Sequence, residues 1–272
     1  MGTSITGIDI WKDRLIAVQV RAALTGYEIT ACAQVPLEAG DLGEGLKRLS
    51  DVMELKAQKC IVSIPSSQVS FRTLDMPFKD AKQIRQTLPY ELEPILPYSV
   101  EDLVVDFMAS GTGASREILS AFIGKDMVAQ CLETLNAHGI DPDVLGISGL
   151  AVVRWLLGQE DGSQHFLLLA LARSSVTLFL CEARHIALIR SFTLGNSPPE
   201  PGFSGEISKG QSGSEKLKGD EALLKALCDR VQHTLHAYAS DRGHGVEPDR
   251  MYLTGGEFSC PETEMFIHDA SG

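Results

Sequence analysis

Two histidines in the chain have the spacing of a metal site. His233 and His236 would share one face of a helix, since residues three apart lie side by side there. Val231, Leu235 and Tyr238 alternate with them, as in an ordinary amphipathic helix. No third ligand stands at a suitable spacing, so we expect no metal site.

Motifs for nucleophilic or phosphate chemistry are missing. The serine pairs at 66–67 and 174–175 lack the G-x-S-x-G turn that exposes a nucleophilic serine, and there is no Walker loop or dinucleotide fingerprint.

The six cysteines form no C-x-x-C pair, which is typical of reduced structural thiols in a cytosolic protein. We therefore expect no enzyme.

An acidic segment is a candidate surface for another protein. Ile84, Leu88 and Leu92 recur at helical intervals, which favours core packing, while Pro89 should kink or restart that helix. Four carboxylates lie beside this pattern: Glu91, Glu93, Glu101 and Asp102. Such a surface is usually solvated, yet it could steer a basic partner.

The charge of the chain restricts its partners and its location. A net charge of −12, from 36 acidic and 24 basic residues, opposes nucleic acid and anionic lipid as general partners. No apolar run is long enough to span a membrane, and residues 1–4 do not begin a secretory signal. We expect a cytoplasmic protein.

The elements that would position these residues begin with a meander. Short runs rich in β-branched and aromatic residues at 4–10, 14–20 and 27–35 predict three antiparallel strands. A helix at 43–55 and an apolar strand at 60–64 follow.

A second unit and a repeat of the meander come next. The second unit has a strand at 69–74, a helix from about 79, strands at 102–109 and 117–123, and helices at 126–138 and 141–157. The meander repeats at 165–171, 176–181 and 186–193, which indicates internal duplication. Fourteen of the 25 residues at 195–219 are Gly, Pro or Ser, which predicts a mobile loop before a helix at 220–240 and a strand at 250–254.

This order resembles the actin-like fold of the pilus protein PilM and the type II secretion protein L (GspL). Residues 64–67 (IPSS) and 71–77 (FRTLDMP) are similar to the strand and edge that open the inserted subdomain of both families. Residues 85–93 (RQTLPYELE), 96–97 and Asp106 are similar to the helix-to-strand passage that follows. The resemblance extends over residues 5–257, apart from the loop.

The resemblance implies an α/β, actin-like (ribonuclease H-like) two-lobed fold with an inserted αββα-type subdomain. We expect the first lobe at 1–160 with its insertion at 66–140, and the second at 161–272 with the flexible loop at 195–219. Because such a lobe normally continues beyond Gly256, we expect the natural protein to extend further.

The resemblance also shows where a nucleotide would bind. In nucleotide-binding members of this fold, each meander carries an Asp-x-Gly turn in which glycine admits phosphate and aspartate holds Mg²⁺. Here Asp9 is retained, but Trp11 occupies the glycine position. Ala170 and Ala172 replace both residues of the second turn.

Gly255 and Gly256 resemble the adenosine-side glycine pair. With Asp9, they would be the remains of a nucleotide cleft. Two lost hydrogen bonds to charged groups, each worth about 1.5–3 kcal/mol, weaken binding by about 10²- to 10⁴-fold. We therefore expect no cofactor.

The resemblance implies a non-catalytic cytoplasmic scaffold of a type II secretion inner-membrane platform. Such a protein recruits the secretion ATPase to the inner face of the bacterial inner membrane and couples it to membrane subunits. A downstream transmembrane helix would anchor the full-length protein, and a homodimer is an open alternative. We expect Glu91, Glu93, Glu101 and Asp102 to contact the ATPase or a membrane partner.

Two other functions stay open for this fold. A PilM-like pilus assembly protein would bind ATP with Mg²⁺ and the cytoplasmic tail of a membrane partner. A sugar-kinase-like phosphotransferase would need an aspartate base in the second lobe.

Overall fold

The computed structural model describes residues 3–23, 26–38, 40–109, 117–159, 165–172, 175–193, 213–243 and 247–255. Three sheets and five helices are present within these residues. Among them, no helix is both long and apolar enough to cross a bilayer.

The first sheet contains five strands in the order β3-β2-β1-β4-β8. The first three form the predicted antiparallel meander, and β4 and β8 add parallel to β1. Its strands are β1 Ser4–Ile10, β2 Arg14–Ala23, β3 Gly26–Pro36, β4 Lys59–Ile64 and β8 Val144–Ile147.

Two helices cover one face of the first sheet. They are α1, Leu42–Val52, and α3, Lys125–Ala137. The Asp41 carboxylate caps α1 by accepting the Glu44 N–H at 3.1 Å. Ile8, Leu15 and Val62 from the sheet form a buried cluster with Leu46 and Leu135 from the helices.

The second sheet contains four strands in the order β11-β10-β9-β12. Every residue of β9 is buried, because α4 lies on one side of the sheet and α5 on the other. The elements are β9 Phe166–Ala172, β10 Ser175–Glu182, β11 His185–Thr193, β12 Arg250–Gly255, α4 Leu150–Leu157 and α5 Gly213–Arg242.

The third sheet belongs to the segment predicted as an insertion. Its strands, in the order β5-β7-β6, are β5 Ser70–Asp75, β6 Leu103–Ala109 and β7 Glu117–Gly124. Helix α2, Ala81–Leu92, packs on it and continues through Pro89 without ending there. Short 3-10 turns follow at Glu93–Ile95 and Val100–Asp102.

Two predicted helices have different bounds in the structure. The prediction of one helix over residues 141–157 is wrong: β8 and α4 form instead. Val144 and Leu145 pair with β4, and Gly149, at φ +88°, allows the turn into α4. Helix α5 begins at Gly213 rather than near residue 220, so residues 213–219 are helical, while residues 195–212 lie outside the described residues.

The two meanders lie in different sheets, with the third sheet inserted between them along the chain. The boundary at residue 160 stays a prediction.

Candidate functional site

A cleft lies between the first and second sheets, where the resemblance places a nucleotide. Its cavity has a volume of about 20 Å³, enough for a water molecule and far too little for a nucleotide. The lining residues are Trp11, Lys12, Pro65, Ser66, Ser67, Ser148, Ala170, Ala172, Ser175 and Thr177.

The Trp11 indole lines this cleft and is almost completely buried. Trp11 is only 8% exposed and belongs to the apolar cluster on the second sheet that includes Ala170 and Phe179. Its backbone N–H donates to the Arg14 carbonyl at 2.9 Å, which closes the turn between β1 and β2. The Arg14 guanidinium lies 5.2 Å from the ring centroid, in a cation–π arrangement.

Asp9 supports Trp11 rather than a metal ion. The indole Nε1–H donates to the Asp9 carboxylate at 2.8 Å. The other Asp9 oxygen is buried and has no hydrogen bond within the described part of the chain. Burial raises the pKa of Asp9 and outweighs the lowering influence of Ser148, Trp11 and Arg14. No group of three potential metal ligands occurs among the described residues.

Gly255 lies against the edge of the indole. At φ +76° it takes a left-handed backbone conformation. A Cβ added there would lie 2.5 Å from the Leu171 carbonyl oxygen and 2.5 Å from the Trp11 ring. The glycine therefore admits the indole, where the resemblance suggested an adenosine. Gly256 lies outside the described residues.

One hydroxyl–hydroxyl hydrogen bond joins the two sheets across the cleft, and a second continues from it within the second sheet. Ser66, just after β4, shares a buried hydrogen bond of 2.7 Å with Thr177 of β10. Thr177 in turn shares one of 2.8 Å with Ser191 of β11. The residues present therefore do not fit ATP with Mg²⁺.

A second contact joins the third sheet to the second. Arg242, at the end of α5, forms a two-point salt bridge with Glu117 at the start of β7. The guanidinium also lies 5.1 Å from the Tyr238 ring centroid, and the Tyr238 hydroxyl donates to Glu182 at 2.8 Å. Burial and this bond raise the pKa of Tyr238.

The four predicted partner residues all lie within residues 91–102, between the end of α2 and the start of β6, and all four are exposed. Glu91 is in α2, and Glu93, Glu101 and Asp102 are in the 3-10 turns that follow. Exposed apolar side chains are interleaved with them: Tyr90 at 75%, Ile95 at 49% and Tyr98 at 47%. We call these seven residues the acidic-aromatic strip.

The sequence analysis missed the aromatic members of this strip. The signal was present, because Tyr90 lies off the stripe formed by Ile84, Leu88 and Leu92, which are all buried. Exposed tyrosines are enriched at protein-binding surfaces, whose rims are polar.

Residues 39–162, which include the strip, match the family described as Type II secretion system (T2SS), protein L. This segment is similar to protein L. No curated protein sequence matches the chain.

Solved structures share the fold. The PilM-PilN type IV pilus biogenesis complex matches with a TM-score of 0.78 at 18% identity, over 98% of this chain and 86% of that one. The cytoplasmic domain of EpsL, an inner membrane component of the type II secretion system of Vibrio cholerae, matches with a TM-score of 0.51 at 16% identity. The match covers 71% of this chain and 72% of that one. A Bacteroides thetaiotaomicron protein with an actin-like ATPase fold matches with a TM-score of 0.54 at 11% identity, over 98% of this chain and 87% of that one. The actin-like fold and the resemblance to protein L and PilM are confirmed.

Proposed function

We propose that the chain is a non-catalytic scaffold on the cytoplasmic side of a type II secretion inner-membrane platform. It would recruit the secretion ATPase and couple it to membrane subunits. The match of residues 39–162 to protein L supports the assignment to a type II secretion system. The buried Trp11 supports the non-catalytic part of the proposal, because its indole lies in the cleft where the resemblance places a nucleotide.

The acidic-aromatic strip is the proposed contact for the ATPase. Tyr90 and Tyr98 offer large apolar surfaces without much loss of side-chain entropy, which suits an anchor. The carboxylates around them would attract a basic partner and speed its association at low salt. Asp106, another carboxylate of this unit, is already paired with Arg85 at 3.2 Å.

Binding kinetics with the cognate secretion ATPase's N-terminal domain test this assignment. The Glu91→Lys/Glu93→Lys variant should lower the association rate by about tenfold at low salt and lose most of the salt dependence. The control is Asp51→Lys/Glu54→Lys, which makes the same charge change on exposed residues at α1 and leaves the strip intact. If both variants slow association equally, net charge is responsible and the strip is not the contact.

An ATP-binding pilus assembly protein that holds the tail of a membrane partner is the second candidate. The TM-score of 0.78 with the PilM-PilN complex, against 0.51 with the EpsL domain, favours it. The two candidates differ in nucleotide binding. A ligand at 100 times its dissociation constant adds about 2.7 kcal/mol to the free energy of unfolding.

Thermal unfolding with and without millimolar ATP and Mg²⁺ separates the two candidates. We expect an unchanged melting temperature, since Trp11 and Gly255 close the cleft. A rise that depends on ATP concentration would support the ATP-binding candidate instead.

A further inference from the structure

Strand β6 forms an outer edge of the third sheet. Its seven residues pair with β7 on one side in an unbroken antiparallel register. In such a pair, alternate residues direct their backbone N–H and C=O groups away from the partner strand. Among the described residues, no backbone group bonds to β6 from that outer side. The outer edge of β6 can therefore pair with another strand.

Three other edge strands are protected against such pairing, each in a different way. Strand β8 has only four residues. Strand β3 is interrupted by a register shift opposite Gln19 and Val20, where Thr30 is an extra residue. Strand β5, at the other edge of the third sheet, lies against β11 of the second sheet. Strand β6 has no register shift, no proline and no lysine, so it lacks the usual protection.

The position of Arg85 shows which kind of side chain this edge binds. Asp106 and Phe107 are neighbours in β6, so their side chains point to opposite faces of the sheet. The Arg85 guanidinium bonds to the Asp106 carboxylate at 3.2 Å and lies 5.4 Å from the Phe107 ring centroid. Because β7 closes the other side of β6, the guanidinium lies across the outer edge. Its ion pair is solvated, with both side chains more than half exposed, and is therefore weak.

The charged groups around the edge also favour a basic occupant. Glu101 and Asp102 are exposed just before β6, and Asp106 lies within it. Two cations lie beside these carboxylates, and both are already bound by this segment. Arg85 is paired with Asp106, and the Lys125 ammonium donates to the Glu101 carbonyl.

We propose that the outer edge of β6 binds an extended segment of another protein in which apolar and basic residues alternate. The segment would continue the third sheet by one strand through backbone hydrogen bonds. Its apolar side chains would extend the cluster beneath α2, where Leu103, Val105 and Phe107 are only partly buried. Its basic side chains would lie on the opposite face, and one would replace Arg85 beside Asp106.

This contact is separate from the proposed ATPase contact. The acidic-aromatic strip ends at Asp102, and the backbone groups of the edge belong to the strand that follows. A peptide can test the edge by itself, whatever protein the strip binds.

A synthetic peptide of alternating lysine and valine is the probe, with hydrogen exchange of single amides followed by NMR. The peptide should bind and slow the exchange of alternate amides of β6. Two further peptides carry N-methyl groups on all lysine amides or on all valine amides. Only one of these sets faces β6 in an added strand, so only one methylated peptide should lose at least about tenfold in affinity. Absence of binding, equal affinities of the two methylated peptides, or protection away from β6 would overturn the proposal.

A lysine on the edge strand should block the peptide. Val104 is 43% exposed on the same face as Asp106, so Val104→Lys would place like charges side by side and weaken binding at least about tenfold. The matched control is Val144→Lys, since Val144 is 52% exposed on the edge strand β8 of the first sheet. Circular dichroism and cooperative melting verify that both variants fold. Equal weakening by the two variants would show that net charge, and not the edge, governs binding.

Removal of Arg85 gives the opposite change. Arg85→Ala should tighten peptide binding at least about threefold, because a lysine of the peptide can then reach Asp106 without displacing the guanidinium. Lys82→Ala is the control: Lys82 is exposed on the same helix, and its loss makes the same change in charge. Binding that is no tighter in Arg85→Ala than in Lys82→Ala would contradict the proposed replacement of Arg85.

Discussion

The cleft and the acidic-aromatic strip are opposite in character. In the cleft, Trp11 is 8% exposed and is held by Asp9, Arg14 and Gly255. On the strip, Tyr90 is 75% exposed and lies among solvated carboxylates. Trp11 packs between the sheets, whereas Tyr90 is available for contact with another protein.

This difference fits the proposed scaffold function. The indole and the Ser66–Thr177 bond take the place of a ligand between the sheets, so the sheets hold each other without one. Substitutions in the cleft should therefore change stability with little direct effect on partners. Substitutions on the strip should do the reverse.

Trp11→Ala should have the largest effect on stability. Removing a buried tryptophan leaves a cavity between the sheets and costs about 3–5 kcal/mol. Urea denaturation gives the free energy of unfolding. Trp155→Ala is the matched control: Trp155 is 63% exposed on α4, and its loss should cost less than about 0.5 kcal/mol. Similar costs for the two variants would show that Trp11 does not fill the cleft.

Thr177→Val should have the next largest effect. Valine has a similar shape but leaves the hydroxyls of Ser66 and Ser191 without this partner, at a cost of about 1–3 kcal/mol. A double-mutant cycle with Ser66→Ala measures the bond across the cleft and should give a coupling of at least about 0.5 kcal/mol. Strict additivity would mean that the two side chains do not interact.

Asp9→Asn should change how stability depends on pH. The folded-state pKa of Asp9 is raised above its ordinary value of 3.8, so the folded state binds the proton more tightly. Wild-type stability should then fall as pH rises from about 3.8 through the folded pKa, because only the unfolded state releases the proton easily. The advantage of the Asn variant should grow over that window in urea titrations at several pH values. A constant difference would place Asp9 in contact with water.

Glu91→Lys/Glu93→Lys should have the smallest effect on stability. Both carboxylates are exposed, so the free energy of unfolding should change by less than about 0.5 kcal/mol. The same variant should slow association with the ATPase, which Trp11→Ala should leave unchanged where it is folded. A large loss of stability would mean that the strip packs against the protein itself.

Much of the fold could be predicted from the sequence. The meanders follow from short runs of β-branched residues, and the resemblance of residues 64–97 gave the actin-like arrangement and the insertion. The helix predicted at 141–157 was wrong. Val144–Ile147 is a short apolar run that could form either a helix or a strand, and its pairing with β4 makes it a strand. The start of α5 at Gly213 was missed because glycine and serine there outweighed Leu217 and its charged neighbours.

The candidate site was predictable only in its local part. That an indole at position 11 would crowd a phosphate follows from its size. That it reaches Gly255 could not be predicted, because the two residues lie in separate sheets.

By itself, the sequence determined most of the strands and helices, the acidic charge and the absence of a catalytic motif, because neighbouring residues and composition decide these. The tertiary structure alone decided that Ser66 meets Thr177, 111 residues away, and that Gly255 lies against the Trp11 ring. It also decided, through one extra residue in β3, that Tyr27 and Ile29 lie on the face of the first sheet opposite α1 and α3. The reason is that these outcomes depend on which strands pair and in which register, and a shift of one residue moves side chains to the opposite face of the sheet.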